Sequence, residues 1–115
     1  MNSSAIDHAT FAELQEAAGA DFVIELVDTF IAEAPQMLAE LRAARTAGNA
    51  EQFRRAAHSL KSNSLTFGAM ALGALARELE VKGLDRDPAA DAQALTALDT
   101  AYEQAAAALK TLCHG

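Results

Sequence analysis

Apolar residues recur along this chain at helical rather than strand spacing. From Phe22 to Ala47, the positions Val23, Leu26, Val27, Phe30, Met37, Leu38 and Leu41 return every three or four residues. Pro35 interrupts them, and the pattern is compatible with a kink in one long helix or with the start of a second segment. Leu72, Leu75 and Leu79 carry the same period between Ala69 and Lys82, and Leu95, Leu98, Tyr102, Leu109 and Leu112 carry it towards the end of the chain. Punctuation supports these limits. Thr10 and Glu13 have the form of a capping box, predicting a short helix over about 10–18 that Gly19 closes. Asp21 is a candidate cap for the next helix, and Gly48 a candidate stop. Asn49 with Gln52 opens a third helix reaching about Thr66, Gly68 marks a bend, and Gly83 stops a fourth. Asp87-Pro88, a cap followed by proline at the first helical position, begins the last. Four substantial amphipathic helices on short connections predict an all-α fold: an antiparallel up-down four-helix bundle with a short N-terminal helix, one domain over residues 1–115.

Composition agrees. Alanine occupies 29 positions, while valine and isoleucine together occupy six. The single cysteine, Cys113, excludes an internal disulfide and fits a reducing compartment. The longest apolar run, Ala105 to Leu109, is far short of the roughly 20 residues a membrane span needs. The opening residues lack the basic stretch and apolar core of a signal peptide, so a cytoplasmic protein with no membrane contact is expected. A bundle of this size needs no second copy for burial, and a monomer is expected.

The net charge of -7 disfavours a general nucleic-acid surface. Its distribution says more. Arg42, Arg45, Arg54, Arg55 and Lys61 face only Glu51 in the stretch 42–61, a balance of +4, and the remaining residues carry four basic and fifteen acidic groups, or -11. On a wheel of the third helix, Phe53, Ala57, Leu60 and Ser64 form one narrow stripe that should face the core. His58 falls about 130 degrees from its centre, on the face shared with Arg54, Arg55, Lys61, Ser62 and Leu65. An exposed imidazole with Arg54 at i-4 and Lys61 at i+3 is mildly unfavourable for the helix, and the same clustering suits an anion such as a phosphoryl group on the ring. Ser62 is small and leaves the ring open from above. Leu65 is apolar on a polar face, which fits equally a contact with a neighbouring helix or a docking contact.

The string Ala57-His58-Ser59-Leu60-Lys61-Ser62, followed by Gly68-Ala69, resembles the signature of histidine-containing phosphotransfer (HPt) domains, His-x-Leu-Lys-Gly/Ser with a later Gly-Ala pair. The stretch from Ala20 to Phe30, Ala34-Pro35, Ala47-Gly48-Asn49 and Leu79-Glu80 also look like family positions. Serine at 62 departs from the commoner glycine but preserves smallness. The resemblance implies that His58 carries the phosphoryl group, that Lys61 helps hold it, and that Ser62 and Gly68 keep its surroundings uncrowded. It also implies partners: response-regulator receiver domains, that of a hybrid histidine kinase among the candidates, which supply the magnesium while this chain needs no cofactor. Receiver pockets are acidic, so the basic zone offers them electrostatic complementarity, with Arg54, Arg55 and Leu65 as candidate docking residues.

Other residues offer less. His8 and His114 are expected to be solvated and outside the bundle, and no histidine pair has metal-ligand spacing. Glu78 and Glu80, two apart on a helix, read as a solvated face. No Gly-rich phosphate loop or Walker lysine is present, so the chain should have no ATP-dependent kinase activity of its own. The residues leave a second reading open: a non-catalytic helical adaptor that binds a signalling protein through the same face.

Overall fold

A computed structural model describes residues 5–84 and 88–114 of the chain. Five helices follow one another: α1 (His8–Ala18), α2 (Ala20–Ala47), α3 (Ala50–Thr66), α4 (Met70–Lys82) and α5 (Pro88–His114). The described residues contain no strand, and none of their helices is long and apolar enough to cross a membrane. The cap expected at Asp87 lies outside the described residues. Side-chain pairs give the direction of each neighbour. Leu65 lies against Gly73 and His58 against Glu80, so α4 runs back along α3. Asp91 pairs with Arg45, Asp99 with Arg42 and His114 with Asp28, so α5 runs back along α2.

The helices obey the apolar period. Val23, Val27, Phe30, Ala34, Leu38 and Leu41 of α2 meet Phe53, Leu60, Leu72, Leu98 and Leu109 in one buried core. Two expected caps are displaced. α1 begins at His8 with Asp7 as its cap, and the Thr10 hydroxyl donates to the Asp7 carboxylate from inside the first turn. α2 begins directly after Gly19, which places Asp21 in the first turn, where its charge favours the helix N-terminus.

Pro35 does not end α2, which continues through it for 28 residues. Proline has no N–H, so the Ile31 carbonyl, four residues back, loses its ordinary helical donor. The Tyr102 hydroxyl of α5 supplies one, donating to that carbonyl at 2.9 Å. Partial burial pushes the Tyr102 pKa up, which keeps the hydroxyl a donor. Tyr102→Phe should therefore cost about 1 kcal/mol of stability. The loss should shrink in a Pro35→Ala background, where residue 35 regains an N–H for Ile31; chemical denaturation of the four proteins of that cycle measures it.

The turn between α3 and α4 is pinned from the N-terminus. The Asp7 N–H donates to the Gly68 carbonyl at 2.7 Å, and Ile6 beside it is fully buried. Gly68 has φ +82, and a Cβ there would stand 2.8 Å from the Asp7 carbonyl oxygen. Gly68→Ala is thus strained twice over and should lower stability by about 1–3 kcal/mol, read from thermal unfolding.

Candidate functional site

α3 is held at a fixed rotation. Its cap is the expected one, the Asn49 Oδ1 accepting the Gln52 N–H at 3.0 Å. Phe53, Ala57, Leu60 and Ser64 are all fully buried, and Ala56 joins them. With that stripe inside, the His58 side chain is left 54% exposed near the middle of the helix. Truncating Phe53 or Leu60 would open a cavity under the site, so the rigidity of the imidazole rests on the core below it.

The ring does not stand alone. Nδ1 of His58 lies 2.7 Å from Oε2 of Glu80, on α4. The other oxygen of that carboxylate meets the Lys61 ammonium at 2.8 Å. Glu80 is only 17% exposed, and the Lys61 ammonium first and the His58 hydrogen bond second hold its carboxyl below the usual carboxylate range. An ionised carboxylate can only accept, so Nδ1 carries the hydrogen of that bond. The neutral ring then has its lone pair on Nε2, which has no hydrogen-bond partner among the described residues. An exposed, oriented imidazole nitrogen with a carboxylate behind it is a nucleophile whose positive charge, once it has reacted, is already matched.

Several sequence expectations change here. Glu78 is exposed as expected, but Glu80 is turned inwards onto α3 and is part of the site. The signal for it was available in α4: Gly73 and Ala76, seven and four residues before Glu80, mark a face that approaches α3 closely, and both are buried. Lys61, expected to help hold a phosphoryl group, meets the Glu80 carboxylate in the unphosphorylated protein. The +4 stretch does not form one surface around His58. Arg42 and Arg45 are drawn to Asp99 and Asp91 of α5, leaving Arg54, Arg55 and Lys61 on α3. Arg55 pairs with Glu51 at 2.6 Å, and Arg54 has no ion-pair partner among the described residues.

Ser62 is exposed one turn beyond the ring, as expected. Leu65 is 40% exposed and also packs over Gly73, a side chain with one edge in the α3–α4 seam and one in water. Gly68 does not clear space around the ring. It lies beyond the end of α3, roughly 12 Å or more along the axis from His58, and its place is fixed by Asp7. His8 is exposed on α1, and His114 is exposed as expected but sits on α5 with Nε2 3.2 Å from Asp28 of α2.

No curated protein and no solved structure matches the chain. A family model does: that of the Hpt domain, over residues 25–108. The match runs from α2 to α5 and takes in both helices that build the His58 site. The chain therefore belongs to the Hpt domain family, the helical bundles of histidine phosphotransfer in phosphorelay signalling.

Proposed function

We propose that His58 is the phosphoryl carrier of this Hpt domain, accepting the group on Nε2 from the aspartyl phosphate of one receiver domain and passing it to the aspartate of another. The observation that carries this reading is the 2.7 Å contact from Nδ1 to Glu80, which presents Nε2 to solvent as the unprotonated nitrogen. The Nε2 lone pair forms the bond to phosphorus while the bond from phosphorus to the aspartate oxygen breaks, and the aspartate leaves as a carboxylate. No proton has to be removed from the ring, because it already resides on Nδ1. The cation created there faces the Glu80 carboxylate, which supplies the charge match in place. Acidic residues and magnesium belong to the receiver, and this chain contributes the nucleophile and its orientation.

The surroundings support the same reading. Arg54 and Arg55 flank the ring at i-4 and i-3, giving an acidic receiver pocket a cationic border, and the exposed edge of Leu65 offers it an apolar contact. Lys61 acts from beside the ring, steadying the carboxylate that orients it. The test is incubation with a phosphorylated receiver domain. Acid-labile, base-stable phosphate on this chain is expected. A tight complex with no transfer would overturn the reading and identify the non-catalytic adaptor.

A further inference from the structure

Once phosphorylated, the His58 ring presents a different problem from the free ring. Nε2 is bonded to phosphorus, so the ring can leave as neutral imidazole only if Nδ1 keeps its proton; without that proton it would have to leave as an imidazolate, a far poorer leaving group. The atom that faces Nδ1 is Oε2 of Glu80 at 2.7 Å. We propose that Glu80 is a positioning residue for phosphoryl release: by accepting the hydrogen bond from Nδ1–H it keeps phospho-His58 in the form that gives up its phosphoryl group, and Lys61 moderates this by sharing the same carboxylate. The proposal rests on His58 being the carrier.

The release step balances on the ring. A carboxylate oxygen of the accepting aspartate, or a water oxygen, forms a bond to phosphorus while the Nε2–P bond breaks and its electron pair returns to Nε2. The proton on Nδ1 never moves, so the product is the same Nδ1–H imidazole that is ready to accept again. With water as acceptor the products are that ring and dihydrogen phosphate.

The charged groups that helix position and ion pairing place beside the ring set the sign of the effect. On α3, Arg54, Arg55 and Lys61 are cationic and disfavour a protonated ring, Arg55 being matched by Glu51. On α4, Glu80 is the acid in contact and favours it. On α2, Glu33 and Glu40 line the groove at neighbouring Ser59 and make no hydrogen bond or ion pair with the ring. Glu80 acts at hydrogen-bond distance and is largely shielded from water, while Arg54 and Arg55 are exposed and screened. The charge of Lys61 opposes that of Glu80 directly through their 2.8 Å pair. The two residues should therefore push in opposite directions, which a purely structural role for either would not produce.

The experiment loads the full chain with phosphoramidate, which transfers its phosphoryl group to imidazole with release of ammonia and needs no receiver. Unreacted donor is removed, and first-order loss of phosphate is followed as a function of pH. In the wild-type protein the loss should be fast at low pH and fall as Nδ1 deprotonates. Glu80→Gln keeps the shape and removes the charge, and should move that fall about one pH unit lower, leaving phosphate roughly tenfold longer-lived on the alkaline limb. Glu80→Ala should do at least as much, and Lys61→Met should move the fall upwards. Far-UV circular dichroism confirms that the variants remain helical. Identical pH profiles for labelled wild-type and Glu80 variants would overturn the proposal, as would a Lys61→Met shift in the same direction as Glu80→Gln. Failure of wild-type His58 to take label would overturn it through the carrier reading itself, by an observation separate from the pH profiles.

Discussion

His58→Gln is expected to reduce phosphate labelling from a receiver domain to background while leaving the bundle folded. With His58 as the proposed carrier, the nucleophile is one nitrogen atom and glutamine offers no equivalent lone pair, so the expected loss is complete rather than partial. Stability should change little. Glutamine is at least as good a helix former as histidine, and the hydrogen bond given up at Glu80 involves a half-exposed ring, where solvent offsets most of its contribution. The other two histidines provide the internal control. His8 occupies the first turn of α1, exposed and outside the α3–α4 pair, and His114 has Nε2 engaged by Asp28 at the last turn of α5. Among the described residues, neither has a carboxylate hydrogen-bonded to Nδ1 that would present Nε2. Phosphopeptide mapping of wild-type and variant protein checks this directly: label on residue 8 or 114 at the wild-type rate would show that the site is elsewhere.

How far such a site can be read from sequence depends on the separation of the groups that build it. The exposure of His58 was legible, because one helix with a dominant apolar stripe fixes its own rotation, and Phe53, Ala57, Leu60 and Ser64 are as buried as their spacing demands. The Asn49–Gln52 cap was legible for the same reason, since donor and acceptor lie within one turn. Glu80 was legible only indirectly, through Gly73 and Ala76 marking the face of α4 that meets α3, because His58 is 22 residues away on another helix and the i, i+2 relation to Glu78 describes only the mutual geometry of the two acids. Charge counting along the chain failed similarly. Arg42 and Arg45 are neighbours of His58 in sequence, yet α2 turns them towards α5, where acids wait 46 to 57 residues away. Pro35 shows the limit from the other side. Whether proline breaks a helix depends on whether the stranded carbonyl finds another donor, and here that donor, Tyr102, comes from α5. Gly68 was recognised as a bend, but the reason only glycine fits, the backbone of Asp7 against it, lies 61 residues earlier.

Ser62→Phe and Ser62→Arg are expected to block transfer without unfolding the protein, the second large effect. Ser62 is exposed, lies one turn beyond His58 on the same face, and its side chain makes no hydrogen bond among the described residues that its replacement would break. A receiver has to bring its aspartyl oxygen in line with Nε2 at roughly 3 to 3.5 Å from the reacting atom, and a bulky side chain beside the ring occupies that approach. The two substitutions differ in what else they do. Phenylalanine adds bulk alone, whereas arginine adds bulk and a positive charge that an acidic receiver pocket would otherwise welcome. If both lose transfer, bulk outweighs charge; if arginine retains it and phenylalanine does not, the partner's approach is looser than in-line attack requires and the cationic border dominates. Ser62→Gly removes the side chain altogether and should transfer nearly as wild type, with about 1 kcal/mol or less lost from helix propensity. Transfer rates and thermal unfolding measured on these three variants separate the outcomes: wild-type transfer in the phenylalanine variant would show that smallness at 62 is incidental, and loss of the fold would show that the partner-facing side of α3 is not where the exposed His58 ring puts it.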